Sequence, residues 1–372
     1  MSWSPQQEAA IKAVSQWLAH PNGKQVFKLF GYAGSGKTTL AKEMAQQVKG
    51  DVLYAAFTGK AALVLRKKGC VGASTIHSLI YKPIPDEKTG QVHFHLNPDS
   101  PVADAKLIII DEVSMVGAEL ALDLLSYDTR VLVLGDPAQL PPVKGEGYFI
   151  NDKPDVMLSE VHRQAADNPI IRLSMDVREG RRLQYGTYGD SVVLQRRGLD
   201  KEYLQGLVLG ANQLLCGLNK TRQTFNARIR DLKTMIGFEA AYLPVRGDRL
   251  VCLKNNADKG LLNGGLWEVV KTAAKAGKMK MTVKSLDDEK AAPVEVSVPF
   301  QFFNGTEKEM DWQDLKKVDQ FTYGYGLTVH KSQGSQWDNV LLFDESGAFR
   351  EDAAKHLYTG ITRAAERVTV VV

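Results

Sequence analysis

Apolar segments alternate with helix-forming ones through the first 160 residues of this 372-residue chain. Residues 25–30 and 51–57 are predicted to be strands, and the apolar runs at 106–110 and 130–134 are typical of buried parallel strands, which are covered on both faces. The first helix is expected to start at Ser4-Pro5, with apolar residues at helical spacing on one face. The alternation predicts a doubly wound α/β domain.

The pattern restarts near residue 169 and changes character at residue 241. The further predicted elements are helices at 169–178 and 221–232 and strands at 192–194, 213–216, 320–328, 339–343 and 368–372. Residues 241–320 consist of short β segments separated by Gly, Asn and Asp turns, which predicts a small all-β, barrel-like insertion. We therefore expect a second α/β domain that is split by this insertion.

A third segment interrupts the first domain. Residues 86–90 are turn-like, and Val92, Phe94 and Leu96 alternate after them, which predicts a β-hairpin standing off the sheet. The predicted bounds are 1–81 and 104–162 for the first domain, 82–103 for the hairpin, 163–240 and 321–372 for the second domain, and 241–320 for the all-β insertion.

The composition indicates in which environment the protein works. Hydrophobic residues make up 44% and charged residues 24% of the chain, as in ordinary soluble proteins, and there is no apolar run near 18 residues. We expect neither a membrane-spanning nor a secreted protein. Three scattered cysteines favour a reducing compartment without a disulfide or zinc framework. A net charge of +4 permits a nucleic-acid partner but does not require one.

One loop has the composition of a phosphate-binding site. Residues 31–38, GYAGSGKT, match G-x-x-x-x-G-K-[ST] between a predicted strand and a predicted helix. Gly34 and Gly36 permit a bend that points backbone N–H groups inward, and the helix N-terminus adds its dipole. Lys37 is expected to reach the β and γ phosphates and Thr38 to ligate Mg²⁺. The predicted nucleotide contacts in this loop are Gly34, Ser35, Gly36, Lys37, Thr38 and Thr39.

Two carboxylates follow the apolar run at 106–110. Asp111 is expected to hold Mg²⁺ and Glu112 to activate water for attack on the γ phosphate, because a phosphate loop needs both groups. A pair of carboxylates on a surface loop is the alternative.

Six motifs occur in the order in which superfamily 1 helicases carry them. They are residues 31–38, 58–62 (TGKAA), 74–77 (STIH), 111–115 (DEVSM), 135–143 (GDPAQLPPV) and 329–334 (VHKSQG). The chain resembles superfamily 1 DNA helicases of the RecD-like and Dda-like branch from residue 4 to residue 364. The resemblance implies two RecA-like P-loop domains in tandem, with ATP and Mg²⁺ between the lobes and single-stranded DNA across their tops.

The resemblance also implies nucleotide contacts elsewhere in the chain. By position, Gln7 would read adenine, Gln139 would sense the γ phosphate, and Arg163 and Arg363 would be arginine fingers. The planar donor fork of arginine suits γ-phosphate oxygens. Two alternatives stay open, because Gln7 can instead close a capping box with Ser4 and each arginine can form a surface ion pair. The implied catalytic set is Lys37, Glu112, Gln139, Arg163 and Arg363, and Gly334 joins the nucleotide contacts.

A DNA-binding face is implied on both lobes. Its expected contacts are Thr58, Lys60, Thr75, His77, Phe94, Thr328 and His330. Hydroxyls, helix ends and cations hold phosphates. A helix cap or a core position is the alternative for each, most clearly for Thr75, which opens a predicted helix. Phe94 either acts on DNA as a wedge or stacking group, or packs the hairpin onto the sheet.

Two positions depart from the family pattern. Gln336 stands where many relatives carry an acidic residue that touches the ribose, which weakens the expected discrimination between nucleotides. His162 stands where other members place an aromatic ring that stacks on adenine.

The sequence thus predicts an ATP-dependent DNA helicase that moves 5′ to 3′, with the direction implied by resemblance alone. The alternatives are a single-strand translocase that displaces proteins, and an ATPase subunit of a recombination complex with little unwinding alone. A small-molecule P-loop kinase accounts poorly for Gln139, Arg163 and Arg363 together. We expect a monomer in the cytoplasm, or the host cytoplasm for a viral protein, without membrane contact. Expected partners are single-stranded and forked duplex DNA, and candidates are a single-stranded-DNA-binding protein and proteins of replication, recombination or repair.

Overall fold

The structure is a computed structural model that describes residues 3–20, 23–85, 92–142, 145–160, 167–234 and 240–372. Its contacts divide the chain into unit 1, formed by Met1–Leu183 and Ala354–Thr362, and unit 2, formed by Gln184–Ala353 and Arg363–Val372. This division differs from the predicted domain bounds, because residues 163–183 and 354–362 group with unit 1. No helix among the described residues is long and apolar enough to span a membrane.

Among the described residues, unit 1 contains the first eight strands, the first seven α-helices and residues 354–361 of a later helix. The strands are β1 (Val26–Gly31), β2 (Val52–Ala56), β3 (Ser74–Thr75), β4 (Tyr81–Pro85), β5 (Val92–Leu96), β6 (Leu107–Asp111), β7 (Val131–Gly135) and β8 (Val156–Leu158). The helices are α1 (Pro5–Ala19), α2 (Lys37–Gln46), α3 (Gly59–Lys67), α4 (Ile76–Ile80), α5 (Pro101–Asp104), α6 (Ala118–Leu125) and α7 (Pro169–Arg178).

Six of these strands form one parallel sheet in the order β3-β2-β6-β7-β1-β8. The central strands are apolar on both faces, and Leu29, Ile108 and Leu132 are fully buried. Because β7 lies between β1 and β6, the carboxyl ends of these three strands meet at one edge. Crevices at such an edge are where open α/β sheets bind ligands.

The hairpin is a two-stranded antiparallel sheet of β4 and β5. Phe94 is 56% exposed, and residues 93–96 are exposed on both faces of the strand. Of the two alternatives for Phe94, packing onto the main sheet is therefore wrong, and the ring contacts the His77 ring, with centroids 4.5 Å apart. A contact with DNA stays a prediction. The predicted turn at 86–90 lies outside the described residues.

Unit 2 contains the remaining described strands and helices, apart from most of the last α-helix. The strands are β9 (Gly186–Tyr188), β10 (Ser191–Leu194), β11 (Gln213–Cys216), β12 (Arg249–Cys252), β13 (Leu266–Lys275), β14 (Lys278–Ser285), β15 (Val294–Pro299), β16 (Phe321–Tyr323), β17 (Gly326–Thr328), β18 (Trp337–Phe343) and β19 (Ala364–Val371). The helices after α7 are α8 (Lys201–Gly210), α9 (Asn219–Leu232), α10 (Gln301–Asn304), α11 (Trp312–Lys316) and α12 (Ala353–Ile361). All of α12 after Ala353 belongs to unit 1.

The main sheet of unit 2 has the order β17-β11-β18-β19-β10-β9, in which only β9 runs antiparallel to its neighbour. A second, antiparallel sheet has the order β15-β14-β13-β12-β16. Both sheets share one apolar core that includes Leu214, Val269 and Phe321.

One prediction about the insertion is wrong, because it is not all-β: α10 and α11 lie within it. Its barrel-like closure stays a prediction. A prediction about the second domain is also wrong. The single strand predicted at 320–328 is two strands, with β16 in the small sheet and β17 in the main sheet. The chain changes sheets at Gly324, where a Cβ atom would lie 2.9 Å from the backbone carbon of Leu250.

Candidate nucleotide-binding site

The loop between β1 and α2 has the backbone conformation of a phosphate cradle. Gly34 and Gly36 both have φ of 79°, a left-handed conformation that costs glycine little. Helix α2 begins at Lys37, directly after the second of these glycines. The loop folds closely on itself, since a Cβ on Gly31 would lie 2.5 Å from Ser35 Oγ.

Two polar groups of the loop fit an anion. Lys37 Nζ donates to the carbonyl oxygens of Gly31 at 2.5 Å and Tyr32 at 3.1 Å, which places the ammonium over the loop. Ser35 is buried, and its Oγ has no hydrogen-bond partner among the residues that the structure describes. A buried hydroxyl of this kind is costly unless a ligand or water pairs with it.

Gln7 connects the start of α1 to the loop. Its backbone N–H donates to Ser4 Oγ at 3.3 Å, and its Oε1 accepts from the Ser4 backbone N–H at 3.1 Å. The capping box is therefore confirmed. The same side chain donates from Nε2 to the Ser35 carbonyl at 3.2 Å and is only 4% exposed. Its contact with adenine stays a prediction.

Thr38 and Asp111 meet at the carboxyl edge of the sheet. Thr38 Oγ1 donates to Asp111 Oδ2 at 2.8 Å, so the two predicted magnesium ligands lie side by side. Oxygen donors of this kind suit Mg²⁺, which is bound in such sites by one or two protein groups together with phosphates. In the described ranges, no cluster of three or more His, Cys, Asp or Glu could hold a metal ion.

Glu112 follows in a strained conformation. Its φ of 55° is left-handed, which a non-glycine residue adopts at a cost of order 1–3 kcal/mol. Its backbone N–H donates to Asp111 Oδ1 at 2.9 Å. The turn directs the chain away from the sheet edge at the residue predicted to be the base.

Tyr358 is a site residue that sequence reasoning missed. It lies on α12, is 1% exposed, and its hydroxyl accepts from the Ala33 backbone N–H at 2.9 Å and donates to Asp136 Oδ2 at 2.7 Å. Burial, and then the Asp136 carboxylate, raise the pKa of this phenol. In the sequence, no spacing rule connects Tyr358 with the phosphate loop.

The residue next to Tyr358 extends this connection to Gln139. Thr359 Oγ1 accepts from the Leu140 backbone N–H at 3.0 Å. Gln139 is buried, and its Oε1 has no hydrogen-bond partner in the described part of the chain. The unpaired Oε1 of Gln139, in the segment that follows β7, is free to accept a hydrogen bond from a ligand or water. The role of Gln139 as a phosphate sensor stays a prediction.

Arg178 covers the loop from α7. Its guanidinium carbon lies 3.7 Å from the centroid of the Tyr32 ring, a cation–π arrangement. Its Nη2 pairs with Glu179 Oε1 at 3.3 Å, and its Nη1 is buried without a hydrogen-bond partner among the described residues. Sequence reasoning missed this contact too, although Arg178 ends a predicted helix.

The arginines predicted as fingers are not placed alike. Arg163 lies outside the described residues, as does His162. Arg363 belongs to unit 2, is 5% exposed and donates from Nη1 to the Ser335 carbonyl at 3.2 Å, so it is not a surface ion pair. Gly334, also in unit 2, has φ of 73°.

Three of the predicted DNA-contacting residues lie at the ends of helices in unit 1. Thr58 Oγ1 accepts from the Ala61 N–H at 3.1 Å and Thr75 Oγ1 from the Ser78 N–H at 3.0 Å, so both cap helices. Lys60 lies in the first turn of α3 and is buried. The capping alternative is confirmed for both threonines, while their contact with DNA stays a prediction.

The predicted DNA-contacting residues in unit 2 are also partly enclosed. Thr328 is buried, and its Oγ1 accepts from the Lys331 N–H at 3.3 Å. The His330 ring lies 5.4 Å from that of Phe349. Burial lowers the pKa of His330, as it does that of His77 in unit 1.

Two protein-family models match most of the chain. The family model described as AAA domain matches residues 2–196, and the one described as UvrD-like helicase C-terminal domain matches residues 323–371. The ATP-dependent RecD2 DNA helicase of Deinococcus radiodurans is 31% identical over 368 residues, which cover 93% of this chain and 46% of that protein. The conjugal transfer protein TraA of Rhizobium radiobacter is 25% identical over 366 residues, which cover 91% of this chain and 30% of that protein. This chain thus spans less than half of these relatives.

Solved structures share the fold. A chain from a structure of two coordinating Pif1 helicases at forked double-stranded DNA matches with a TM-score of 0.57 and 17% identity. The match covers 99% of this chain and 92% of that chain. The Pif1 helicase of Candida albicans matches with a TM-score of 0.53 and 18% identity, over 100% of this chain and 94% of that chain. The predicted pair of RecA-like domains is confirmed.

Proposed function

This chain belongs to the superfamily 1 helicases and resembles their RecD-like branch, and we propose that it is an ATP-driven motor that unwinds DNA while moving 5′ to 3′ along a single strand. The observation that carries the proposal is the 2.8 Å hydrogen bond between Thr38 and Asp111, which joins the phosphate loop to the carboxylate strand. The motifs of both lobes and the similarity to a RecD2 DNA helicase support the motor class.

The nucleotide side of the proposal is ATP with Mg²⁺. When bound at Thr38 and Asp111, Mg²⁺ supplies positive charge that offsets the charge of the phosphates. Lys37 binds the β and γ phosphates, and Glu112 takes the proton of the attacking water. Gln139 senses the γ phosphate from the end of β7.

The coupling of hydrolysis to DNA is assigned to two arginines and a set of DNA contacts. Arg163 and Arg363 stabilise the charge that develops on the γ phosphate, a contribution of about 10³ to 10⁵ in rate for an arginine finger. The DNA strand is held by Thr58, Lys60, Thr75, His77, Phe94, Thr328 and His330. We assign single-stranded and forked duplex DNA as the substrates, because Pif1 structures of the same fold are described with these ligands. A cytoplasmic monomer acting in replication, recombination or repair completes the proposal.

The ATPase rate with and without single-stranded DNA, at low and high salt, tests the motor. We expect stimulation by DNA that weakens with salt, because phosphate contacts release counterions. Lys37→Ala should abolish hydrolysis and leave the fold intact. Hydrolysis by Lys37→Ala at the parental rate would refute the assigned site.

A strand-separation assay tests helicase activity and direction. Substrates with a 5′ or a 3′ single-stranded overhang of equal length form the matched pair, and unwinding only of the 5′-overhang substrate is expected. DNA-stimulated hydrolysis without strand separation indicates a translocase. Unwinding that begins from the 3′ overhang contradicts the proposed direction.

A further inference from the structure

The outer face of the small sheet in unit 2 carries unpaired lysines. Exposed residues alternate with buried ones along β14 and with partly buried ones along β13 from Val270 onward. The exposed set includes Lys271, Lys275, Lys278 and Lys280. Within the described ranges, none of these four ammonium groups has an ion-pair or hydrogen-bond partner. We call these four residues the lysine face.

Two of these lysines oppose each other. Lys275 and Lys278 are cross-strand partners on either side of the turn at Ala276 and Gly277, whose φ values are 49° and 74°. Like charges directly opposite on a sheet are destabilising. Lys280 follows on the same face, about 6.8 Å further along the strand at about 3.4 Å per residue. The fold thus maintains a repulsion that a bound polyanion would relieve.

The positive face results from how the fold distributes charge, since the segment itself is neutral. Eleven lysines and eleven acidic residues lie between residues 254 and 320. Two adjoining hollows on this side of the module, about 520 Å³ and 370 Å³ in volume, are lined by seven of the lysines and by only two carboxylates, Glu295 and Asp319. Asp319 is already paired with Lys259 at 2.7 Å and accepts from the Ser297 N–H. Six of the other acids lie at 287–289 and 307–311.

The chemistry of the face indicates which polyanion it fits. Neither hollow is lined by an aromatic residue in the described part of the chain. The exposed ring of Trp312 has the Lys316 ammonium 3.4 Å from its centroid, which occupies that ring face. Proteins that bind single strands stack bases on aromatic rings, whereas binding to duplex without sequence preference depends on cations that neutralise phosphates.

We propose that the lysine face binds the phosphate backbone of duplex DNA, so that the module holds the double-stranded arm of a forked substrate. This inference rests on the proposed function, because a motor on a fork meets duplex as well as single strands. It adds a duplex-binding surface to the single-strand contacts assigned above.

Two triple variants with the same change in net charge test the proposal. The test variant is Lys275→Gln, Lys278→Gln, Lys280→Gln, and the control is Lys201→Gln, Lys290→Gln, Lys308→Gln. Lys290 and Lys308 are exposed in the same module, and Lys201 is exposed at the start of α8 in the same unit. Lys284 stays unchanged in both variants, because it lies on the same face of β14 as Lys278 and Lys280. Long-range attraction to DNA falls equally in both variants, so only the lysine face separates them.

The measurement is fluorescence anisotropy of a blunt duplex and of a single strand of equal length, across a salt series. For the duplex, the test variant should bind about tenfold more weakly at low salt, and its slope against log salt should be shallower by about 0.9 for each lost contact. The control variant should keep the parental slope. In urea, the test variant should unfold at an equal or higher concentration than the parent, because the repulsion between Lys275 and Lys278 is gone.

Equal losses of duplex affinity in the two variants would overturn the proposal, because general charge would then explain them. An equal loss for single strand and duplex in the test variant would also overturn it, since the occupant would be the single strand. Failure of the proposed function is seen separately, as a parental ATPase that does not respond to single-stranded DNA.

Discussion

The hydroxyl of Tyr358 donates a hydrogen bond to Asp136 Oδ2 at 2.7 Å in the interior of unit 1. The same hydroxyl accepts from the N–H of Ala33, which lies 325 residues away in the phosphate loop. One buried side chain therefore connects this loop with the segment after β7, which contains Asp136 and Gln139. A shift of the loop is expected to move that segment through the hydrogen bonds of Tyr358.

Tyr358→Phe should weaken ATP binding without preventing folding. The variant keeps the ring but removes the hydrogen bonds to the Ala33 N–H and to Asp136 Oδ2, at a cost of about 1–3 kcal/mol in the free energy of unfolding. Because Ala33 belongs to the loop that holds the phosphates, we expect KM for ATP to rise about tenfold, the equivalent of about 1.4 kcal/mol. Steady-state hydrolysis and urea unfolding measure the two effects.

Tyr127→Phe is the matched control for that variant. Its hydroxyl donates to the carbonyls of Asn97 at 2.6 Å and Ile80 at 3.1 Å, beside the hairpin and in the same unit. A similar loss of stability with the parental KM is expected. If both variants raised the KM for ATP by the same factor, the rise would come from the general loss of stability. The proposed effect of Tyr358 on the phosphate loop would then be refuted.

Gly36→Ala should abolish nucleotide binding. The φ of 79° strains any other residue by about 1–2 kcal/mol, and the new Cβ would lie 3.1 Å from Gln7 Nε2. Gly72→Ala is the control, because Gly72 has φ of 73° and no atom within 4 Å of the added Cβ. Urea unfolding should show similar losses for both, while only Gly36→Ala loses binding of a fluorescent ATP analogue. Tight binding by Gly36→Ala contradicts the cradle.

Thr38→Val should raise the Mg²⁺ concentration needed for hydrolysis. Valine has the shape of threonine but lacks the hydroxyl that lies 2.8 Å from Asp111. We expect the midpoint of a Mg²⁺ titration, at fixed ATP, to rise about tenfold, in line with losses seen when groups at metal sites are changed. Excess Mg²⁺ should restore much of the rate in Thr38→Val but none in Lys37→Ala. An unchanged midpoint would remove Thr38 from the magnesium site.

Stability should fall as the pH drops below about 6.5. Burial lowers the pKa of His77 and of His330 from the ordinary value of 6.5. At pH values between the lowered native pKa and 6.5, these histidines are protonated in the unfolded chain but neutral in the native one. The unfolded chain therefore binds more protons in this range, and the stability present above pH 6.5 is lost as the pH falls through it. Urea unfolding at about pH 7.5 and about pH 5.5 should show a smaller drop for the double variant His77→Gln, His330→Gln than for the parent. An identical drop in both proteins contradicts the prediction.

The sequence by itself determined the parts of the site that are local. Eight consecutive residues specify the phosphate loop, because glycine conformation and the start of a helix depend on near neighbours. The helix predicted at 169–178 and the strand at 213–216 have the same bounds as α7 and β11, since apolar periodicity within an element reports its type. Asp111 was predicted at a strand end next to the loop, because parallel strands deliver their carboxyl ends to one edge.

The tertiary structure decided what depends on elements far apart in the chain. Tyr358 reaches Ala33 only because α12 packs in unit 1, and no periodicity within α12 reports where that helix lies. The strand predicted at 320–328 divides at Gly324, because sheet pairing and not propensity assigns Phe321 and Gly326 to different sheets. The lysine face likewise exists only after folding, when strand register gathers the cations of a segment that is neutral as a sequence. Local patterns fix the elements, whereas contacts distant in sequence arise from how those elements pack.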